Sequence, residues 1–326
     1  MEFGIDIPTA KAFDAVALGL NAVDHLVLVP HYPEFNSKIQ FVEHRLAPGG
    51  QSATAMAALS RLGLKTRYIG NVGSDRLGRF QLESLEADGI EASGVRIVEG
   101  AETQTAFIIV DQLSGERTVI WSRDTRLEID PEALDEKAVV SGRVFHLDGH
   151  NVKASIAAAR LARSAGVPTC LDIDNIYPGA EHLLPLIDFL ISSRTFPERM
   201  TGAPDLESAL KKLHAEFGSP LVAATLGDRG VLAYFQDQYI YSPAFKVDCR
   251  DTTGAGDAFH GGFLYGFLAG YSVEATLRFA NAVAGLKCRA LGARTALPSL
   301  HEVERLLGSS CSSGIAPDGS GINLRH

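Results

Sequence analysis

Several common sequence signals are missing from this 326-residue chain. No apolar run is long enough to span a membrane, and Glu2 and Asp6 interrupt the N-terminus where a signal peptide would be basic and then apolar. The four cysteines form no CxxC pair and show no metal-ligand spacing with histidine. These absences predict a soluble, cytoplasmic protein with reduced thiols and no membrane partner.

An excess of positive charge is also missing. The chain carries 30 Lys and Arg residues against 39 Asp and Glu residues, which gives a net charge of −9. This balance argues against nucleic acid as a partner, although it leaves room for a local pocket that binds a nucleotide. Hydrophobic residues make up 46% and charged residues 21% of the chain, as is usual for a globular enzyme.

Two familiar nucleotide motifs are absent as well. A Walker A loop needs a Gly-Lys pair, which the chain lacks, and a dinucleotide fingerprint would need a glycine where Phe259 stands. The glycine-rich segment that is present, Asp251-Thr-Thr-Gly-Ala-Gly-Asp257, opens an apolar helix. Its glycines leave amides free at the positive end of the helix dipole, with Asp257 beside them. This arrangement suits phosphoryl transfer, since amides stabilise the moving group while a carboxylate takes the proton of the attacking hydroxyl.

Strand-like runs alternate with helical patterns along most of the chain. The expected strands are Phe13–Gly19, Arg67–Val72, Val144–Asp148, Thr169–Ile173, Phe189–Ser192 and Leu221–Thr225. The expected helices are Gln51–Leu62, Arg76–Ala87, Val152–Ala165, Leu206–Phe217 and further helices from Asp257 to Leu307. This alternation predicts an α/β fold with a doubly wound, mostly parallel sheet and helices on both faces.

Two regions interrupt the alternation, at about residues 25–47 and 104–124. Both alternate apolar and polar residues without a helix between them, and Leu113–Glu116 is a plausible hairpin turn. We expect a small antiparallel sheet outside the main core. The chain is thus predicted to be one domain over residues 1–308, followed by a flexible tail at 309–326 that is rich in Ser and Gly.

The segment from Asp251 to Gly262 resembles the signature of the ribokinase-like (PfkB) family of sugar and nucleoside kinases. Matching features extend from about Asp14 to Leu307. The resemblance implies an ATP-dependent kinase in which Asp257 is the catalytic base and the small sheet is a lid over the sugar site, often also a homodimer contact. The anion hole would be formed by the backbone of Gly254, Ala255 and Gly256.

The resemblance also implies two kinds of metal ion. Phosphoryl transfer from ATP nearly always needs Mg²⁺. A monovalent cation such as K⁺ often lies beside the glycine loop in the family, with candidate ligands here in Asp251, Thr253 and the backbone around Gly292. Many members organise the magnesium-bound phosphates through Asn-x-x-Glu, where this chain has Ser193 and Phe196. Either phosphates and water hold most of the Mg²⁺, or another carboxylate substitutes.

A nucleotide loop is implied by Thr225-Leu-Gly-Asp-Arg-Gly230, which follows an expected strand. Ligands of open α/β sheets bind at the carboxyl ends of strands. In the resembled family, Thr225, Gly227 and Gly230 would contact ATP, with Ser193 nearby. Asn281 either lies beside the adenine or is a polar residue on a packed helix.

The acceptor site is implied by Asp24, which would bind sugar hydroxyls, and by Gly49 and Gly50 at the start of a helix. Many sugar kinases of the family follow the two glycines with asparagines. Here Gln51 and Thr54 take their places, which puts ribose and plain fructose in doubt as acceptors.

Subfamily features point in two directions. Gly115-Glu-Arg-Thr118 and Phe145–His150 resemble ketohexokinases, whereas Pro243–Asp248 resembles sulfofructose kinases. Lys38 either binds a sulfonate or is an exposed lysine. We expect phosphorylation of a primary hydroxyl of a ketose or related sugar. The alternatives are a nucleoside kinase, with Trp121 as one wall of a base pocket, and a non-catalytic ATP- and sugar-binding regulatory protein.

Overall fold

A nine-stranded sheet forms the centre of the molecule. A computed structural model describes residues 1–312, and every structural statement below concerns that part of the chain. The strands are β1 (Phe13–Leu18), β2 (Ala22–Val29), β3 (Glu43–Gly49), β4 (Thr66–Gly73), β5 (Val95–Val98), β6 (Thr105–Asp111), β7 (Arg117–Ser122), β8 (Gly142–Asp148), β9 (Thr169–Ile173), β10 (Phe189–Ser193), β11 (Leu221–Thr225), β12 (Val231–Phe235) and β13 (Gln238–Ser242).

Ten α-helices accompany these strands in the described residues. They are α1 (Gln51–Arg61), α2 (Arg76–Ala87), α3 (Glu136–Val139), α4 (Val152–Ser164), α5 (Ala180–Leu183), α6 (Phe196–Thr201), α7 (Leu206–Phe217), α8 (Ala255–Leu268), α9 (Val273–Lys287) and α10 (Leu300–Ser312). The longer helices match the predicted ones to within a residue or two at each end.

The main sheet has the order β13-β12-β11-β10-β9-β8-β1-β4-β5. From β11 to β5 all neighbouring strands are parallel, whereas β12 and β13 form an antiparallel edge. The prediction of a mostly parallel sheet is confirmed. The β12–β13 hairpin was not predicted, because its turn uses Gln236 and Asp237 at positive φ instead of a glycine pair.

Apolar side chains fill both faces of the main sheet, as a doubly wound fold requires. One core packs α1, α8 and α9 on the sheet through residues such as Met56, Phe263 and Val283. The other core packs α4 and α7 on the opposite face through residues such as Ala158 and Leu210. With both faces covered, the edge at the carboxyl ends of the parallel strands is left for a cleft.

The small sheet has the order β3-β2-β6-β7 and lies apart from the main sheet. Its outer pairs are antiparallel, as expected, but the central pair of β2 and β6 is parallel. One face buries Leu26, Ile108 and Val110 against Leu291. The other face leaves Phe107 and Ile120, which are paired across β6 and β7, more than half exposed.

The last helix begins with the capping box at Ser299 and Glu302, whose side chains accept hydrogen bonds from each other's backbone amides. The helix continues to Ser312, four residues into the segment predicted as a tail. Val303 packs in the core and anchors the helix. The rest of the predicted tail, residues 313–326, lies outside the described residues. None of the described helices is long and apolar enough to cross a membrane.

Candidate active site

A cleft lies where the carboxyl ends of β8–β11 meet the N-terminus of α8. Gly254 precedes the helix with a left-handed φ of 76°, and no side chain caps the helix start. A Cβ added to Gly254 would lie 2.8 Å from the Ala293 Cα, so a larger residue would collide with backbone. The conformation and the close approach both require glycine at this position.

One amide of this loop forms a hydrogen bond within the protein, and the others are left for the cleft. The Ala255 amide donates to the Thr252 carbonyl oxygen at 3.1 Å, which closes the turn before the helix. Within residues 1–312, the amides of Gly254, Gly256 and Asp257 donate to no protein acceptor. These three amides are therefore available for an anion, whereas Ala255, predicted to belong to the anion hole, contributes to the turn.

Asp257 lies in the first turn of α8 and is only partly exposed to solvent. Burial and the nearby negative charge of Asp172 raise the pKa of Asp257 to about 7, against the opposing effects of His260 and Arg117. A carboxylate with a pKa near neutrality is a stronger base than an exposed one, and it is still largely ionised at a slightly alkaline pH.

Asp24, on β2, lies across the cleft and is 4% exposed. Burial, together with the charges of Asp257 and Asp251, raises its pKa to about 7, although Arg294 acts in the opposite direction. No amide or side chain of residues 1–312 donates a hydrogen bond to its carboxylate. Such a group has its acceptor capacity free for the hydroxyl groups of a ligand.

Two glycines let the start of α1 come close to Asp24. A Cβ added to Gly49 would lie 2.1 Å from the Asp24 Oδ2 atom. Gly50 has a φ of 90°, and a Cβ there would lie 2.3 Å from the Asn21 Cα. The predicted acceptor residues Asp24, Gly49 and Gly50 are thus brought together, and the glycines are required by the close approach.

A chain of polar contacts runs from Gln51 to the end of β9. The Gln51 Oε1 atom lies 2.8 Å from His150 Nε2, and Tyr177 Oη lies 3.2 Å from that same nitrogen. Tyr177 donates to the Asp174 carboxylate at 2.8 Å. Trp121 from the small sheet meets the His150 ring edge-on, with 6.4 Å between centroids. The sequence indicated Gln51 as a site residue but not Tyr177 or Asp174.

The contacts of Thr54 differ from the substrate-binding role that the sequence predicted for it. It is fully buried, and its hydroxyl accepts from Arg294 Nε at 3.4 Å. Arg294 also donates to the Gly49 carbonyl oxygen at 2.8 Å and to Asp88 at 3.1 Å. Thr54 therefore helps to place a buried arginine behind Gly49, and Arg294 is a positioning residue that the sequence patterns did not reveal.

On the opposite side of the cleft, β10 and β11 end side by side, with Ser193 paired to Thr225. The Thr225 hydroxyl donates to the Ser192 carbonyl oxygen at 3.3 Å, and that of Ser193 donates to the Asp174 carbonyl oxygen at 3.2 Å. The loop after β11 turns at Gly227 and Gly230, which have φ values of 63° and 99°.

Gly230 also allows a close backbone approach. A Cβ there would lie 2.1 Å from the Ser242 carbonyl oxygen. The Asn281 side-chain amide donates to the carbonyl oxygens of Ser242 and Pro243, at 2.9 and 3.2 Å. Asn281 thus fixes the segment after β13 against the Gly230 loop, which is the packing role weighed for it above.

Phe196, at the position of the missing glutamate, is completely buried in the apolar core and cannot approach a phosphate-bound metal. The carboxylate of Asp174 is exposed at the end of β9, next to Ser193. The charge of Asp174 raises the pKa of Asp257, so the two carboxylates lie near enough to interact. Among the described residues it is a suitable oxygen donor for a hydrated Mg²⁺.

The predicted monovalent-cation residues meet below the glycine loop. The fully buried Asp251 carboxylate accepts from the amides of Thr253 and Gly292, at 2.8 and 2.7 Å. The Asp251 carbonyl oxygen accepts from the ammonium group of Lys287 at 2.9 Å. Lys287 has no exposed surface and was missed by the sequence patterns.

The small sheet contacts the glycine loop through its β6–β7 hairpin. Arg117 donates to the Thr252 hydroxyl at 2.8 Å, and the Thr252 amide donates to the Gly115 carbonyl oxygen at 3.3 Å. The positive charge of Arg117 lowers the pKa of both Asp24 and Asp257. Arg117 therefore brings a cation from the small sheet to the anion-binding loop.

Known proteins share this fold and part of the sequence. Residues 14–300 match the family model for pfkB family carbohydrate kinases. An ATP-dependent ribose-1-phosphate kinase from Halopiger xanaduensis is 31% identical, over 84% of this chain and 91% of its own. A nucleoside kinase from Methanothermobacter thermautotrophicus is 29% identical, over 89% of this chain and 94% of its own. The structure of Arabidopsis thaliana ribokinase complexed with ribose and ATP aligns with a TM-score of 0.76 at 26% identity, over 91% of this chain and 99% of that one.

Proposed function

Because this chain belongs to the pfkB family of carbohydrate kinases, we propose that it transfers the γ-phosphoryl group of ATP to a primary hydroxyl of a sugar. The observation that carries the proposal is the position of Asp257. Its carboxylate lies at the anion-binding start of α8, has a pKa raised to about 7 and faces Asp24 across the cleft. A base between an anion site and a hydroxyl-binding carboxylate is what phosphoryl transfer to an alcohol requires.

In the proposed reaction, Asp24 accepts hydrogen bonds from sugar hydroxyls and orients the acceptor. Asp257 takes the proton of the primary hydroxyl as its oxygen attacks the γ-phosphorus in line. The amides of Gly254 and Gly256 stabilise charge on the transferred group, and Arg117 closes the site from the small sheet. This closure would keep out water, which is a competing acceptor.

Thr225, Gly227, Gly230 and Ser193 are proposed to line the nucleotide side. When Mg²⁺ accompanies ATP, it neutralises phosphate charge. We propose that Asp174, in place of the missing glutamate, holds water molecules around that ion. Asp174→Asn should raise the Mg²⁺ concentration needed for half-maximal rate and leave the rate at saturating Mg²⁺ nearly unchanged. An unaltered Mg²⁺ dependence would exclude this role.

The oxygens of Asp251 are already engaged by donors, whereas the buried hydroxyl of Thr253 has no hydrogen-bond partner among residues 1–312. Both oxygens of the Asp251 carboxylate accept backbone amides, and its carbonyl oxygen accepts the Lys287 ammonium group. A second cation there would be repelled by a buried positive charge. We therefore propose that Lys287 supplies the positive charge that the sequence assigned to K⁺ at Asp251, Thr253 and Gly292.

The chemistry of the acceptor pocket supports a polar, hydroxyl-rich substrate. A small cavity of about 10 Å³ lies behind the start of α1, and its polar lining includes Asn21, Asn71, Gln104, Arg123 and Asn151. Amide and guanidinium groups of this kind match hydroxyl and carbonyl oxygens. Polar groups of this kind beside the acceptor site support a ketose or related sugar over a flat nucleobase.

One observation favours a nucleoside acceptor instead. Trp121, His150 and Tyr177 form a continuous group of rings next to Gln51, with neighbouring centroids 6.4 and 5.0 Å apart. Aromatic faces of this kind can stack on a base. A panel of ketoses, aldoses, sugar phosphates and nucleosides assayed for ADP release tests both proposals. Turnover of sugars but not of nucleosides supports the first, the reverse supports the second, and turnover of none contradicts both.

The exposed side of the small sheet supports a homodimer. Phe107 and Ile120 are paired across neighbouring strands and are each more than half exposed, and grouped apolar side chains commonly mark an interface. We propose that two copies pair through this face. Sedimentation of the wild-type protein and of Ile120→Lys should show a dimer and a monomer, respectively, and a wild-type monomer would contradict the proposal.

A further inference from the structure

Three side chains with metal-binding atoms meet in the core below the cleft. His146 on β8 and Cys170 on β9 are direct neighbours in the sheet register, so both point to the face covered by α8. The His260 side chain projects from α8, one turn after Asp257. One ligand atom from each of the three residues lies within 4.8 Å of the others, and Cys170 Sγ is 3.8 Å from His260 Nδ1.

These groups are unusual for their surroundings. His146 and Cys170 have no exposed surface and His260 is 1% exposed, in a core that is otherwise apolar. Neither ring nitrogen of His146 has a hydrogen-bond partner among residues 1–312. A buried polar atom without a partner costs about 1–3 kcal/mol, so native proteins keep few of them. A bound ion would give the imidazole the partner that it lacks.

The third ligand is oriented by a carboxylate. His260 Nε2 lies 3.3 Å from Asp172 Oδ1, which leaves Nδ1 directed toward Cys170. Metal-binding histidines usually donate their second nitrogen to a carboxylate in this way. The charges also balance: a divalent cation, one thiolate and the Asp172 carboxylate sum to zero, which limits the cost of burying the ion.

We propose that His146, Cys170 and His260 form a binding site for Zn²⁺ beneath the active-site cleft. Two imidazole nitrogens and one thiolate are a donor set that Zn²⁺ prefers and that Mg²⁺ and K⁺ do not. Binding releases the Cys170 thiol proton, since the thiolate is the ligand. Asp172, which is 7% exposed, and the exposed Asp174 place two carboxylates at the carboxyl end of β9, beside the site.

Cobalt is the probe for this site because, unlike Zn²⁺, it absorbs visible light. The full-length protein is stripped with a chelator and titrated with Co²⁺ under reducing conditions. We expect one equivalent to bind with a thiolate-to-cobalt charge-transfer band, and added Zn²⁺ should remove the band. Wild-type protein loaded with Zn²⁺ should also melt at a higher temperature than the stripped protein, because the ion binds only the folded state.

Two cysteine variants test whether Cys170 produces the charge-transfer band. Cys170→Ala should lose the charge-transfer band, whereas Cys249→Ala, which removes an exposed cysteine, should keep it. If Cys170→Ala does not fold, His146→Gln provides the same test, with at least a tenfold loss of Co²⁺ affinity expected. Absence of stoichiometric binding by the wild-type protein, or a band that survives in Cys170→Ala, would overturn the proposal. These readouts do not use turnover, so they stand apart from the proposed kinase reaction.

Discussion

Asp257 on α8 and Asp24 on β2 approach each other closely enough for the charge of Asp257 to raise the pKa of Asp24. Asp24 belongs to the small sheet, whereas Asp257 belongs to a helix that packs on the main sheet. Two buried carboxylates of like charge destabilise each other unless a proton or a donor lies between them. A hydroxyl that donates to one of them and is deprotonated by the other relieves this repulsion, which makes the pair a binding site for an alcohol.

Replacing Asp257 with asparagine keeps the shape of the side chain and removes the base. We expect the rate of ADP release to fall by roughly 10²–10⁴-fold or more. The melting temperature should be equal or higher, since a buried charge is lost. ATP affinity, measured by calorimetry, serves as the control for an intact nucleotide site. A variant that retains a tenth or more of the wild-type rate would show that Asp257 is not the base.

The raised pKa values set the direction of the pH dependence. Asp257 and Asp24 both have pKa values near 7, so below about pH 7 each is largely protonated and can neither take a proton nor accept two hydroxyl donors. We expect kcat/KM for the sugar to rise with pH and level off above about 8. Because both groups must ionise, the acid limb should be steeper than that of a single proton.

The variant Asp24→Asn separates the two titrations. Its acid limb should follow one proton, with a midpoint shifted to lower pH because the neighbouring negative charge is gone. Its KM for sugar should rise more than its KM for ATP. As the control, ATP binding by the wild-type protein is measured over the same pH range and should not change with pH. A profile that is flat between about pH 6 and 8 would contradict the raised pKa values.

The alternation of apolar strand-like runs with helical patterns along the chain was enough to predict most of the fold. The runs that became β1, β4 and β8–β11 are apolar and bounded by helical patterns, so their order along the chain already implied a parallel sheet. Carboxyl ends of parallel strands share one edge, so the grouping of Thr225, Ser193 and the glycine loop at a single cleft also followed.

Residues that act through distant contacts could not be predicted in this way. Arg117 and Thr252 are 135 positions apart, and Arg294 and Thr54 are 240 apart. Neither pair leaves a periodic trace in the sequence. Gln51 and Thr54 share one turn of α1, yet only the structure shows that the hydroxyl of Thr54 is held by a buried arginine. Lys287 was missed because a lysine at the end of a helix usually points to solvent.

The two glycines at either end of α1 provide a matched pair of variants. Gly50 and Gly63 both have positive φ values, 90° and 97°, so an alanine at either position carries backbone strain. They differ in space: a Cβ at Gly50 meets the backbone of Asn21 and Leu20, whereas one at Gly63 meets nothing within 4 Å.

From this difference we expect Gly63→Ala to lose some stability and keep its kcat/KM for sugar. Gly50→Ala should lose more stability, and its kcat/KM should fall by tenfold or more, since the start of α1 must move away from Asp24. Melting temperature and steady-state kinetics are measured side by side on the two variants. Equal kinetic effects in both would mean that strain alone, and not the close approach at the acceptor site, requires a glycine at position 50.

The buried ammonium group of Lys287 determines how the enzyme should respond to monovalent cations. Its nitrogen donates to the Asp251 carbonyl oxygen directly below the anion-binding loop. We expect the wild-type rate to be the same within about twofold when K⁺ is replaced by tetramethylammonium at constant ionic strength. Lys287→Met keeps the length of the side chain but removes its charge. The rate of this variant should therefore fall, and small cations such as K⁺ or NH₄⁺ should restore part of it.

Lys246→Met, at a position outside the loop, is the control for a general effect of lost charge. A wild-type enzyme that requires K⁺ would show that the ammonium group does not replace the ion, whereas a slow Lys287→Met variant that no cation rescues would show that the loop needs the hydrogen bond and not the charge alone.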